Sequence, residues 1–344
     1  MKTVDLRSDT VTRPSPEMRE AMMAAELGDD VFGEDPTINR LQEMMAELTG
    51  MEAALFVTSG TQGNQISLNA HTHPGEEVVV ERECHIINYE CGAPGMLAGV
   101  QLYPVEGKNG ILTAEQVAAA VRPEDVHLPH TGLICLENTH NRAGGAIYPI
   151  EEIRRISQFA RSKNIPLHLD GARLWNASAE TGISIKEYCQ YFDSVSMCFS
   201  KGLGAPVGSI VAGSREFIRK AHQYRKAYGG GMRQAGILAA AAIYAVEHNF
   251  PLLKEDHRRI RGLARAISEL PGISVNPDSV ETNILIFHVA AERMDADELV
   301  ARLQEKGVLM FKIKPEHIRA VSHLEISDDD IDIAIAAFRE IWRN

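Results

Sequence analysis

Lys201 lies in the run Phe199-Ser200-Lys201-Gly202-Leu203-Gly204, thirty-one residues after Asp170, which opens Asp170-Gly171-Ala172-Arg173. A primary amine set among small residues is poorly screened, and it can form an imine with an aldehyde. A carboxylate at the end of an apolar run can hold a pyridinium nitrogen protonated. A Schiff-base lysine and an acidic partner for a ring nitrogen are the two demands that pyridoxal phosphate makes on a protein.

The phosphate of such a cofactor needs an anion cup. Phe56-Val57-Thr58-Ser59-Gly60-Thr61-Gln62-Gly63-Asn64 runs from an apolar strand through small hydroxyl and glycine residues into a helix. Backbone N–H groups at a helix start, with the Ser59 and Thr61 hydroxyls, suit a phosphate monoester. The same pattern also serves an ordinary strand-to-helix turn. Asp170 itself reads either as the ring partner or as a helix cap. Arg173 offers a planar fork for a carboxylate, or else a salt bridge between loops. His85, just past a strand, could stack on a flat ring or act as a base near neutral pH, and a structural histidine is the plain alternative. His127, His130 and His140 are further candidates. Lys226 and Arg233 bracket Gly229-Gly230-Gly231-Met232, a flexible run between two cations that could grip an anion or remain a charged loop.

These groups need elements to position them. Residues 1–35 are rich in Asp, Pro and Gly without a strong period, and read as an arm or loop. Asp35 then caps a helix with Pro36 at its first position, an apolar stripe of Ile38, Leu41, Met44, Met45 and Leu48, and Gly50 at its end. Strands are expected at Ala53–Val57, Val78–Glu81, Gln101–Val105, Leu133–Glu137, Pro166–Asp170, Ser194–Phe199 and Ser209–Ala212, alternating with helices at about 62–71 and 149–163. Alternation of this kind predicts an α/β fold, a mainly parallel sheet with helices on both faces. Helices follow at 216–226, 232–248 and 252–270. The last part mixes strands (283–289, 318–323) with helices (296–306, 328–342) and reads as a small C-terminal α/β domain. The expected division is an arm at 1–35, a large domain at 36–255 and a small domain at 256–344.

The bulk numbers agree with an enzyme of this size. The 344 residues can bury a large core, with 44% hydrophobic and 24% charged residues. A formal net charge of −12 argues against nucleic acid or an anionic membrane as partner. The five cysteines (Cys84, Cys91, Cys135, Cys189, Cys198) are odd in number and lack CxxC spacing. They read as reduced thiols of a cytoplasmic protein, with no zinc or other metal site. The N-terminus has no apolar h-region, so neither a signal peptide nor a membrane span is expected.

Seven motifs in order resemble the low-specificity L-threonine aldolases: Ser8-Asp9-Thr10-Val11-Thr12, Gly28-Asp29-Asp30-Val31-Phe32-Gly33, Ser59-Gly60-Thr61-Gln62, Leu136-Glu137-Asn138-Thr139-His140-Asn141, His168-Leu169-Asp170-Gly171-Ala172-Arg173, Ser200-Lys201-Gly202-Leu203-Gly204 and Gly229-Gly230-Gly231-Met232-Arg233-Gln234. The resemblance runs from Asp5 to about Leu324. It implies the pyridoxal-phosphate fold type I of aspartate aminotransferase, and retro-aldol cleavage of L-threonine or L-allo-threonine to glycine and acetaldehyde. It implies Lys201 as the Schiff-base residue, Asp170 as the ring-nitrogen partner and His85 stacked on the ring. Ser59, Gly60 and Thr61 would bind the phosphate, with Lys226 and Arg233 supplied by a neighbouring subunit of a homotetramer built as a dimer of dimers. Arg173, with Ser8 and Arg319, would hold the substrate carboxylate at the cofactor. Tyr89 and His127 would lie near the substrate side chain, and His85 or His127, directly or through a water, would be the base for the β-hydroxyl. A phenylserine aldolase, or a lyase for another β-substituted amino acid, is the nearest alternative. A non-catalytic binding protein sits poorly with the retained Lys201, Asp170 and Arg173, and a nicotinamide enzyme lacks its G-x-G-x-x-G.

Overall fold

The structure is a computed structural model that describes residues 2–290, 292 and 294–343. In chain order its strands are β1 (Val4–Asp5), β2 (Ala53–Val57), β3 (Glu77–Glu81), β4 (Gln101–Val105), β5 (Thr131–Glu137), β6 (Leu167–Asp170), β7 (Ser194–Cys198), β8 (Ser209–Gly213), β9 (Ile273–Ser274), β10 (Ile284–Val289), β11 (Val308–Leu309), β12 (Phe311–Lys314) and β13 (His317–Val321).

β2 to β8 form one seven-stranded sheet in the order β2-β8-β7-β6-β5-β3-β4. β8 runs antiparallel to both its neighbours, and every other pairing is parallel. The expected α/β architecture with a mainly parallel sheet flanked by helices is therefore the one observed. β3, β5, β6, β7 and β8 are buried along their whole length, and β3, β5 and β8 accordingly carry unbroken apolar stretches.

The helix Pro36–Thr49 shows how local chemistry sets an element. Asp35 accepts the N–H groups of Thr37 and Ile38, Pro36 sits at the first position, and Gly50 closes the end at φ +68°. Its buried residues Ile38, Leu41 and Met45 face the large core.

A second sheet, β12-β13-β10-β9, is antiparallel throughout, and β1 pairs in parallel with β11. A separate hydrophobic core lies here, built from Ile260, Leu263, Leu285, Phe287, Leu299, Ile318, Phe338 and others, and it includes Val4 and Leu6. The helix Leu253–Ser268 joins the two cores: Leu253 belongs to the first and Ile260 to the second. Residues 1–35 also hold more structure than their composition suggests. They contain β1 and the helix Pro16–Met23, whose buried Met18 reaches the large core. Both elements are too short to show a period. The helical run Gly236–Ser268 is long and apolar enough to resemble a membrane span, but half of its most apolar stretch is buried inside the protein.

Candidate active site

Five strands that run in the same direction, β2, β3, β5, β6 and β7, end on one edge of the large sheet. Each delivers a polar group there: Ser59 just after β2, His85 after β3, Glu137 at the end of β5, Asp170 at the end of β6 and Lys201 after β7. The crevice beyond the carboxyl ends of parallel strands is where open α/β sheets take their ligands.

Ser59 caps the helix Gly60–His71, its Oγ accepting the Gln62 N–H at 3.1 Å. The N–H groups of Gly60 and Thr61 open this helix and have no acceptor within it. Together with the helix dipole they form an anion cup. A Cβ at position 60 would stand 2.8 Å from Cys198 Sγ, so only glycine lets this turn close on β7. Lys201 Nζ donates to the same sulfur at 3.2 Å, which places the amine beside the cup. The lysine turn is fixed by the Lys201 carbonyl, which accepts from Gly204 N–H at 2.8 Å and Thr12 Oγ1 at 3.2 Å. All five cysteines are free thiols.

Asp170 is buried, and its two oxygens accept from the Ala172 N–H (3.1 Å) and from Asn64 Nδ2 (2.8 Å). The Asn64 amide nitrogen also donates to Glu90 Oε1 at 2.8 Å, and Gln65 Nε2 donates to Glu90 Oε2 at 2.5 Å. Glu90 Oε1 lies 2.8 Å from His85 Nδ1. Burial works against a charged His85 imidazole, but the Glu90 hydrogen bond and the charges of Asp170, Glu90 and Glu137 outweigh it and raise its pKa. Behind Asp170, His168 is driven down to about 4 by burial and is neutral at pH 7.

Arg173 is buried and forms a two-pronged ion pair with Asp9, Nε to Oδ2 and Nη2 to Oδ1, both at 2.7 Å. Burial alone would raise the Asp9 pKa; the charge and hydrogen bond of Arg173, helped by Lys201, hold it far below the usual carboxylate range. Arg319 Nη1 and Arg173 Nη1 share Asn141 Oδ1 as acceptor, at 3.1 and 3.4 Å. Among the described residues Arg319 donates otherwise only to the Arg7 carbonyl, and its buried Nε has no partner. Burial and the neighbouring Arg173 charge both lower the Arg319 pKa. Two guanidinium groups thus meet around one carboxylate. One positive charge is left over, which is what a substrate carboxylate would neutralise.

The fold does not gather every expected residue. His127 lies in an exposed loop with its Nδ1 on Asp125, apart from the Lys201–Asp170–His85 group of its own chain. Tyr89 is half exposed, its ring 5.4 Å from that of His85. Ser8 is buried, and its hydroxyl accepts from the Thr10 N–H and hydroxyl. Gly230 is pressed against the Gln62 amide, where a Cβ would stand 2.3 Å from its nitrogen, so the glycine run lies over the first turn behind the cup. Arg233 pairs with Asp29 at 2.9 Å and lies over Phe32, while Lys226 packs against Gly231.

Four further residues of the site, Asp9, Asn64, Glu90 and Asn141, have no role in the sequence reading. Asp9, Asn64 and Asn141 lie inside the motif strings quoted above, which was the available signal. Glu90 follows Tyr89 with nothing in its flanks to mark it.

The chain is similar to known proteins along nearly its whole length. The chain is 44% identical over 345 residues to low-specificity L-threonine aldolase 1 of Arabidopsis thaliana, covering 99% of this chain and 96% of the relative. It is 43% identical over 337 residues to the low specificity L-threonine aldolase of Escherichia coli K12, covering 98% of each. Among solved structures, the threonine aldolase of Leishmania major superposes with a TM-score of 0.85 at 18% identity, over 98% of this chain and 99% of that one. A putative L-allo-threonine aldolase of Listeria monocytogenes gives 0.79 at 23%, over 98% and 95%. Since the beta-eliminating lyase family model matches residues 5–291 and relatives above 40% identity span nearly the whole chain, this protein belongs to the beta-eliminating lyase family.

Proposed function

We propose that this site cleaves the Cα–Cβ bond of L-threonine, L-allo-threonine and related β-hydroxy-α-amino acids, releasing glycine and an aldehyde, with pyridoxal phosphate as cofactor. The observation that carries the reading is the convergence of Lys201, Asp170 and the anion cup next to an Arg173–Arg319 pair with a single internal carboxylate. The donor set fits the cofactor: an amine beside free helix-start N–H groups, and across from them a buried aspartate aligned by two N–H donors.

Pyridoxal phosphate, when bound, supplies an aldehyde for Lys201 and a protonated ring able to take up the electron pair of the broken bond. Gly60 and Thr61 would bind the phosphate through their N–H groups, with the Ser59 and Thr61 hydroxyls beside them. Asp170 would keep the ring nitrogen protonated, and His85 would stack on the ring. Arg173 and Arg319, with the Ser8 hydroxyl, hold the substrate carboxylate and so set the Cα–Cβ bond at the angle needed for cleavage. His85 takes the proton of the β-hydroxyl. Tyr89 lines the place of the substrate side chain. Lys226 and Arg233 act from a neighbouring subunit of a homotetramer made of two dimers, and His127 lies near the substrate side chain. The arm is residues 1–35, the large cofactor-binding domain residues 36–255 and the small domain residues 256–344, and the protein is cytoplasmic.

The test is an absorbance spectrum of the protein supplied with pyridoxal phosphate, followed by L-allo-threonine or L-threonine with aldehyde detection. A band near the visible edge that shifts on addition, with acetaldehyde released, is expected. A band without acetaldehyde would move the activity to another β-substituted amino acid, and no band would remove the cofactor.

A further inference from the structure

We propose that Glu90 is a positioning residue for the base: it keeps a proton on His85 Nδ1 and thereby leaves Nε2 as the nitrogen that accepts the β-hydroxyl proton. The inference rests on the reading of His85 as the base given above.

Glu90 is buried with its side chain fully enclosed. Every partner it has is a donor: Asn64 Nδ2 and His85 Nδ1 on Oε1, and Gln65 Nε2 on Oε2. The two amides cannot turn round. A reversed Asn64 would set its oxygen against both Glu90 and Asp170, and it would lose the face that its Oδ1 presents to His168 Nε2 at 3.4 Å. A reversed Gln65 would place its oxygen against Glu90 Oε2. With its oxygens committed as acceptors, the carboxylate requires hydrogen on His85 Nδ1. Nε2 has no protein partner among the described residues, so it carries the lone pair of the neutral ring.

The surroundings of His85 favour the product of proton transfer. Glu90 touches the ring, Asp170 lies within the same cluster, and Glu137 accepts the His85 backbone N–H at 2.6 Å. The Tyr89 ring packs beside it, and Arg142 stands beyond Tyr89, paired with Glu83. As the β-hydroxyl O–H bond breaks, its proton forms the Nε2–H bond, and its electron pair becomes the second bond of the aldehyde carbonyl. The Cα–Cβ pair remains with Cα. The imidazolium that results is held by Glu90 through Nδ1–H, the role of the carboxylate in any His–carboxylate dyad. Because Asn64 donates to both Glu90 and Asp170, the base and the ring partner are aligned by one amide.

The test is Glu90→Gln in the holoenzyme. A glutamine amide nitrogen would face the Asn64 or the Gln65 donor whichever way it turned, and it cannot carry the charge. We expect kcat for L-allo-threonine to fall about 10- to 100-fold with KM within about threefold, the range of general-base effects. The acidic limb of the kcat/KM profile should move to lower pH by about one unit, since His85 loses the partner that favours its cation. Glu90→Asp, which keeps the carboxylate, should return the limb towards the wild-type position. In a His85→Asn background, Glu90→Gln should have no further effect on kcat. Nitrogen-15 spectra of histidine-labelled holoenzyme, with His85 assigned by its loss in His85→Asn, should show the Nδ1–H tautomer in the wild type. An unmoved acidic limb, an additive double variant or an Nε2–H tautomer would each overturn the role of Glu90. Wild-type enzyme that releases no aldehyde would overturn the aldolase reading instead, while the tautomer would still report on Glu90.

Discussion

Asp256 sets a measurable pH dependence of stability. It lies on the helix Leu253–Ser268, 1% exposed, and neither of its oxygens has a hydrogen-bond partner among the described residues. The nearest cation, Arg259, stands at 3.9 Å. Burial, with a contribution from the Asp9 charge, raises its pKa from 3.8 to about 7. An acid whose pKa is higher in the folded state binds its proton more tightly there. Its contribution to stability is complete below pH 3.8 and is lost as the pH rises towards and past 7. A gap of about 3 pH units corresponds to about 4 kcal/mol at about 1.4 kcal/mol each. Asparagine has the shape of the protonated acid and does not titrate. The Asp256→Asn variant should therefore unfold at higher temperature than the wild type at pH 8, by about 5 °C given the unfolding entropy of a chain of this size. The difference should shrink to near zero at pH 4.5. Thermal unfolding of both proteins across that range, followed by circular dichroism, is the assay. A difference that does not change with pH, or a less stable variant at pH 8, would refute the argument that this carboxylate is buried without a partner.

Four predictions concern the site. Lys201→Ala should abolish the absorbance of the lysine-bound cofactor and lower kcat by at least about 10³-fold; an unchanged spectrum would remove Lys201 from its role. Asp170→Asn should cost far more in turnover, about 10²- to 10³-fold, than in cofactor affinity measured by equilibrium dialysis, and near-normal turnover would count against the ring-nitrogen assignment. Arg173→Lys replaces a fork seated on both Asp9 oxygens by a point charge. KM for the amino acid should rise about tenfold or more while kcat falls, and wild-type kinetics would place the substrate carboxylate elsewhere. Gly60→Ala brings a methyl to 2.8 Å from Cys198 Sγ, and should cost about 1–3 kcal/mol of stability together with weaker cofactor binding, read by thermal unfolding with and without added pyridoxal phosphate.

Much of the large sheet was legible because its inner strands are buried along their whole length and punctuated by small residues. Each of its seven strands lies where the apolar runs predicted, within one or two residues at each end. The ends of those strands also gather the candidate residues, since a parallel sheet must deliver its turns to one edge. The less legible parts have physical reasons. The helix Leu174–Thr181 is buried at nearly every position and so has no amphipathic period. β1, β9 and β11 are two residues long and depend on partners distant in the chain. The Asp9–Arg173 pair joins positions 164 residues apart, and Glu90 gains its place only when the helix carrying Asn64 and Gln65 packs over it. Such contacts arise from tertiary packing and leave no local pattern.

The amino-terminal arm ties the molecule together at the point where the substrate carboxylate would bind. Val4 and Leu6 sit in the small core, β1 pairs with β11, and among the described residues Asp9 supplies the only carboxylate to Arg173 while accepting from Asn283 Nδ2. A proteolytic clip before Thr10 would leave Lys201, Asp170 and His85 in place and yet strand a buried guanidinium without its counter-charge. The opening residues thus belong to the catalytic unit as fully as the lysine does. Tags and library mutations meant to spare function are safer on the exposed turn at Lys163 and Asn164 than on this short segment.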